Sequence, residues 1–466
     1  MIVQKTDRAE DQPDVLRELF ADLPRDLPVP SSDRWQHHAL LIGDNHIRLC
    51  LRFERPLDAA RLERAVLLSI RIAPVIVYRY VDRFWRPRWR RVDRLDHRAL
   101  FDVFAAQYPQ QAEARIRQFI ESRHPPGEPP QMRVRLIREP GVDHLCLSIS
   151  HLLGDAGALK HYAYRLAQIY RRLQRDPQYL PPCEVHKGRR YRDINPGWLT
   201  LKTLRALLQP AKILPPVSST FPYEVAAAGE DRFTYRCLRT GPSRFREIQR
   251  LARTHDATLN DVVLTALFRA YHQMVPLGEG QPAVMLLTSD LRTLLNDPVA
   301  LPICNYSHLL AVVAGLELDL PFETLLARVR DDSRQQKAQR GSQPSMFHWQ
   351  RELNLRSNAS ARKYFHRSFS EMLAQPLPSQ SNLGEIDAEA LDFGEPQVTD
   401  AYMVSVFLKS PLFQHVCCSF RQRLTFSVGF HDTAMNRVLV RELLERFERE
   451  LPGAGHDLLD TPEVSK

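Results

Sequence analysis

Prolines gather between residues 176 and 222, among them Pro181, Pro182, Pro196, Pro210, Pro215, Pro216 and Pro222, with basic residues between them. Proline fixes φ and removes a backbone donor, so such a stretch sustains neither a long helix nor a central strand. It reads as a linker or crossover packed on a surface, and it divides the chain into two parts with the same mixed α/β patterning. In the first part, 46–53 alternates as a strand does. Residues 57–72 then read as a helix, with Asp58 available as a cap and Leu62, Ala65, Val66 and Ile70 as its apolar face. A further helix is expected over 110–122. Strands over 134–137 and 144–150 should meet at Glu139-Pro-Gly-Val142, with a helix from 158 to about 173.

In the second part, Thr258 with Asp261 three residues on resembles a capping box, opening a helix through Met274. Strands are expected over 284–288, 309–314 and 423–430. A closing amphipathic helix over 437–451 places Val440, Leu443, Leu444, Phe447 and Leu451 on one face before Pro452-Gly453 stops it. The expected organisation is an N-terminal extension over 1–35, one lobe over 36–175, the crossover over 176–222, a second lobe over 223–451 and a flexible tail over 452–466.

Length allows more than one core in 466 residues. Apolar and charged fractions of 44% and 26% are those of soluble globular chains. The apolar run 65–77 is broken by Arg71 and Pro74, and the N-terminus has no apolar signal region, so no membrane span and a cytoplasmic location are expected. Seven scattered cysteines, never spaced Cys-x-x-Cys, indicate neither a disulfide framework nor a metal site. The net charge of +9 favours anionic partners without choosing among nucleic acid, an acidic protein and a phosphate-bearing molecule.

The chemistry is most concentrated in Ser150-His-Leu-Leu-Gly-Asp-Ala-Gly157. It sets His151 at the end of an apolar strand, before a small-residue turn and Asp155, a position suited to a general base. The same His-x-x-x-Asp spacing recurs at His456 and Asp460 in the polar tail, so context rather than spacing distinguishes His151. The alternative for His151 is a hydrogen-bonded core histidine.

Several stretches in order resemble the condensation-domain and coenzyme-A-dependent acyltransferase superfamily. They run from Phe53-Glu-Arg-Pro-Leu-Asp through Ser150–Gly157, Ala257-Thr-Leu-Asn-Asp, Ser289-Asp-Leu-Arg292, Ile303-Cys-Asn-Tyr-Ser307 and Pro321-Phe-Glu-Thr-Leu-Leu326 to Ser381-Asn-Leu-Gly384 and Leu391-Asp-Phe-Gly394. The resemblance spans about 36–451. It implies an α/β fold of two chloramphenicol acetyltransferase-like lobes, each a mixed sheet flanked by helices, with the active site in a tunnel between them. The chain departs from the family pattern at Ser150, where the signature's first His would stand, and at Ala156, with Gly157 one place late. Glu395-Pro396 and Ile303-Cys304 also depart from it. These departures leave the acceptor class open.

The resemblance implies that His151 takes a proton from an acceptor hydroxyl or amine as it attacks an acyl thioester. No covalent acyl-enzyme and no bound cofactor would be needed. Acyl-coenzyme A or acyl-phosphopantetheine is the donor substrate, and a small-molecule alcohol or amine the acceptor. Asp155 is implied to face away from the substrate in an ion pair, with Arg292 as the matching partner. Gly154 and Gly157 are expected to permit a tight turn and close approach of the pantetheine arm. Ser381, Asn382 and Ser150 are candidate oxyanion or substrate contacts. Asp392-Phe-Gly394 is expected to be a structural turn far from the chemistry.

Phe84-Trp-Arg-Pro-Arg-Trp-Arg-Arg91 alternates Trp85, Pro87 and Trp89 with Arg86, Arg88 and Arg90, and Pro87 points to an edge strand. These arginines are either a solvated face or a dock for an acidic carrier protein or donor phosphates. A monomeric acyltransferase without nucleic-acid binding is the expectation. The rival readings are a non-catalytic condensation-like module that docks a carrier protein, and a nucleic-acid binder.

Overall fold

The computed structural model describes residues 13–190, 220–225, 232–294, 301–339, 344–404 and 406–453. Two mixed sheets with helices against them organise the chain. The first has five strands in the order Val398–Val404, His46–Phe53, Val142–Ser150, Met132–Glu139 and Phe101–Ala105. Its neighbours are antiparallel except for the parallel last pair. The second has six, in the order Ser307–Gly315, Ala283–Asp290, Ser379–Glu385, Gln414–Phe420, Arg423–His431 and Phe233–Arg239. There the pairs made by Ser379–Glu385 are parallel and the others antiparallel.

Local sequence explains most of these elements. Asp58 accepts from the Arg61 amide and starts the helix Ala59–Leu68, whose Leu62, Ala65 and Val66 are fully buried. Thr258 and Asp261 form a reciprocal capping box at the head of Leu259–His272. Pro140-Gly141 turns Met132–Glu139 into Val142–Ser150, with Gly141 at φ +82°, where only glycine is unstrained. The closing helix Ala434–Glu450 buries Val440, Leu443, Leu444 and Phe447 in the second core.

Three features differ from the sequence reading. Residues 13–35 are no extension: Leu19, Phe20 and Leu23 are buried in the first core, and Asp26–Pro28 pairs with Arg88–Arg91. Their apolar residues recur at helical spacing, which is why they pack. Pro87 does not mark an edge strand, because Arg88–Arg91 is the middle strand of a three-stranded sheet with Asp26–Pro28 and Tyr78–Val81. Pro87 precedes its first residue and costs it no ladder bond. The strand Val398–Val404 comes from the second half of the chain yet lies in the first sheet, with Ala401 opposite Leu51 and Tyr402 opposite Cys50. It forms a strap from the second half of the chain onto the first sheet, and Phe407–Leu408 continues this strap by pairing with Gly43–Asp44.

Of the proline-rich segment, 191–219 lie outside the described residues, as do 1–12 and 454–466 of the expected extension and tail. Residues 176–190 pack on the first lobe, where buried Glu184 accepts from both Nη atoms of Arg165 at 2.8 and 2.6 Å. Among the described residues, no helix is long and apolar enough to cross a membrane.

Candidate active site

The strand Val142–Ser150 is buried along its second half and carries the chain to the junction of the two lobes. At its end the Ser150 carbonyl accepts from the amides of Leu153 and Gly154, and the Ser150 hydroxyl accepts from Leu152 N at 3.3 Å. The Ser150 side chain thus braces the turn. His151 is half-buried, and its amide donates to Asn45 O at 2.7 Å.

Its ring is held from the other lobe. His151 Nδ1 lies 2.7 Å from Asn305 Oδ1, while Asn305 Nδ2 donates to the His151 carbonyl at 2.8 Å. The second bond orients the amide so that Oδ1 faces the ring, which assigns the proton to Nδ1 and leaves the Nε2 lone pair free. Burial pushes the His151 pKa below the usual imidazole value, against the opposing field of Asp155 and the hydrogen bond to Asn305. A neutral imidazole with Nε2 unprotonated is the form a general base needs.

Asp155 is the N-cap of the helix Ala156–Arg175, accepting from the Ala158 amide at 2.8 Å. Its carboxylate also accepts from Tyr306 N at 2.6 Å and from Arg292, with Nη2 2.9 Å from Oδ1 and Nη1 3.1 Å from Oδ2. Arg292 further donates to Asp290 at 3.1 Å and to Cys304 O at 2.7 Å. Burial opposes ionisation of Asp155, yet the Arg292 guanidinium together with the Tyr306 and Ala158 amides outweighs it and holds the carboxyl below the usual range. Burial likewise opposes the charge on Arg292, and the Asp155 and Asp290 carboxylates more than offset it. With its lone pairs taken, Asp155 has no hydrogen bond to His151 among the described residues; it ties Arg292 and Tyr306 of the second lobe to the first.

From the sequence, Gly154 and Gly157 are expected to permit a tight turn and close approach of a pantetheine arm; the structure shows protein atoms packed beside both. A Cβ on Gly157 would stand 2.6 Å from Arg292 Nη1 and 3.0 Å from Asp290 Oδ2, and one on Gly154 would stand 2.6 Å from the Ala158 methyl. What approaches these positions is the protein itself. Ser381 Oγ pairs with Thr288 Oγ1 at 2.7 Å, and Asn382 Oδ1 accepts from Gly384 N at 2.9 Å. Neither is hydrogen-bonded to His151. Asp392 pairs with Arg171, and Phe393 packs on Phe53 and Tyr170 in the first core. Arg90 is paired with Asp26 at 3.0 Å, whereas Arg86 donates to the Arg356 carbonyl at 2.8 Å and Arg88 is exposed.

Sequence reasoning assigned no role to Asn305, although it quoted the stretch 303–307. It also missed Arg189, whose Nη2 donates to Leu153 O at 2.8 Å and so fastens the turn after His151.

No family model and no curated protein sequence matches the chain. Solved structures do. The first condensation domain of the CDA synthetase aligns over 94% of this chain and 98% of its own, with 15% identity and a TM-score of 0.63. The condensation domain of the monacolin K polyketide synthase aligns over 91% and 96%, with 12% identity and a TM-score of 0.64. Polyketide synthase associated protein 5 of Mycobacterium tuberculosis aligns over 91% and 98%, with 13% identity and a TM-score of 0.58. The chain therefore has the two-lobed, chloramphenicol acetyltransferase-like fold of the condensation domains, with His151 and Asn305 meeting at the junction of its lobes.

Proposed function

We propose that the protein is a cytoplasmic acyltransferase of the condensation type. It moves an acyl group from a coenzyme A or carrier-protein thioester to a hydroxyl or amine. The single observation that carries this reading is the doubly bonded His151–Asn305 pair, which leaves an imidazole Nε2 unprotonated at a lobe junction. Donor and acceptor would approach His151 from opposite faces of that junction. Nε2 accepts the proton of the acceptor as its oxygen or nitrogen attacks the thioester carbonyl. The tetrahedral intermediate collapses with loss of thiolate, and the proton on His151 passes to that sulfur. Ester or amide and free thiol are the products, with no acyl-enzyme. Asp155 and Arg292 act as positioning residues that fix the turn and the second lobe to each other. Fold likeness to the condensation domains of the CDA synthetase and of a polyketide synthase supports the thioester donor.

Thiol release from a panel of acyl-coenzyme A and acyl-carrier donors, with mixed alcohols and amines, tests the reading. Acceptor-dependent release is expected with at least one pair. Release that never depends on an acceptor would leave hydrolysis, not transfer, as the activity.

A further inference from the structure

The stem of the hairpin formed by Tyr78–Val81 and Arg88–Arg91 is fixed to the first lobe. Trp89 is fully buried, stands edge-on to Tyr80 at 5.5 Å and donates its indole N–H to Asp33 Oδ2 at 2.9 Å. The connection over 82–87 is of opposite character. Its central residues, Phe84 and Trp85, are 63% and 70% exposed, with their rings edge to face at 5.1 Å. Side chains this large and apolar are mostly buried in folded chains, so an adjacent exposed pair calls for an explanation.

The turn is held from behind. Phe84 O accepts from Asn358 N at 2.8 Å, and Asp82 accepts from Asn358 Nδ2 at 2.8 Å and pairs with Arg362. Arg86 donates to the carbonyls of Asn354 and Arg356, which places Leu355, 77% exposed, beside the turn. The one carboxylate of the turn is thereby committed within the protein, while Phe84, Trp85 and Leu355 are left to solvent. The charges that accompany them are cationic: Arg83 and Arg86 in the turn and Arg88 at its exit are all exposed. The carbonyls that hold Arg86 orient its charge without neutralising it.

Shape and charge together select the occupant. A stable protein partner needs a face of about 800 Å² on each side, whereas two rings and a leucine at the tip of a turn offer a point. Apolar rings flanked by arginines suit the boundary between lipid headgroups and acyl chains, where the rings leave water and the guanidinium groups reach lipid phosphates. The cytoplasmic leaflet supplies the complementary negative surface.

We propose that this tip, Phe84 and Trp85 with Leu355 and the flanking Arg83, Arg86 and Arg88, docks the protein on an anionic lipid surface. The protein lies on the bilayer and does not span it. The assignment goes beyond the acyl-transfer reading and does not depend on it.

Co-sedimentation of the intact chain with vesicles of phosphatidylcholine alone, and of phosphatidylcholine mixed with phosphatidylglycerol, tests it. Each arginine near an anionic surface strengthens binding about fivefold, so the mixed vesicles should bind at least about tenfold more tightly, and added salt should shrink the difference. Replacing both exposed rings, Phe84→Ser with Trp85→Ser, should weaken binding to the mixed vesicles at least about tenfold. Arg83→Gln with Arg88→Gln should abolish the preference for them. Unchanged circular dichroism in both variants separates lost binding from lost folding. Equal binding to the two vesicles, binding to neither, or wild-type binding by the ring variant would overturn the proposal. An acidic carrier protein captured through the same residues, with no vesicle binding, would overturn it too and give the tip to a protein partner. Neither donor nor acceptor is present, so failure here leaves the thioester reading standing.

Discussion

Replacing Arg292 with methionine should be more damaging than replacing Asp155 with asparagine, and the difference can be worked from the geometry. Arg292 is 3% exposed and serves two carboxylates, Asp155 and Asp290, and the Cys304 carbonyl. Arg292→Met strands a buried Asp155 charge, which costs about 3–5 kcal/mol when a buried pair is broken from one side. Asp155→Asn leaves Arg292 with Asp290 and Cys304, and an asparagine can still cap the helix Ala156–Arg175. Its cost should be about 1.5–3 kcal/mol, the worth of a hydrogen bond to a charged group. Once either partner is gone the other has less to lose, so the double variant should fall short of the sum by about 0.5–3 kcal/mol. Chemical unfolding of the four proteins at pH 7 reads all three quantities. Additive losses, or an Arg292→Met loss below about 1 kcal/mol, would refute the view that this pair ties the lobes together. A wild-type stability for Asp155→Asn with abolished turnover would instead make Asp155 a partner of His151 in catalysis.

Other outcomes follow from the same contacts. Gly157→Ala should destabilise by about 1–3 kcal/mol, because its methyl group must displace Arg292 Nη1, 2.6 Å away; a neutral effect in thermal unfolding would count against that packing. Wild-type kcat/KM should stay level from pH 8 to about 6.5 and fall only below it, since burial lowers the His151 pKa. Asn305→Asp should move that acid limb upward by placing a carboxylate against Nδ1–H, and an unmoved limb would detach Asn305 from the base. Stability should fall as pH drops from 6.5 towards 4. Burial holds His38 at about 4 and His415 at about 3, so the unfolded chain binds more protons in that window. An unfolding midpoint that is flat between pH 7 and 5 would contradict this.

Local chemistry made much of the fold legible. The strand His46–Phe53, the Asp58 cap and the Thr258–Asp261 box depend on residues within a turn or two, and their sequence patterns identify them. The strap was not legible. Alternation can mark Val398–Val404 as a strand, but its partner His46–Phe53 lies some 350 residues earlier, and nothing in either segment specifies the pairing. The candidate site divides the same way. His151 and Asp155 share one short motif, and Arg292 came through resemblance. Asn305 acts only through a contact spanning 154 residues, so its type and neighbours carry no local sign of its role. Gly154 and Gly157 looked like open turn glycines until the Ala158 methyl and the Arg292 guanidinium were seen to fill the space beside them.

The most direct test of His151 as the base is the rate of acceptor-dependent thiol release in wild type and His151→Ala, with the donor and acceptor that the panel identifies. A positioned general base contributes about 10²- to 10⁴-fold, so the account predicts a loss of that size with unchanged circular dichroism. Equal rates in the two folded proteins would contradict it.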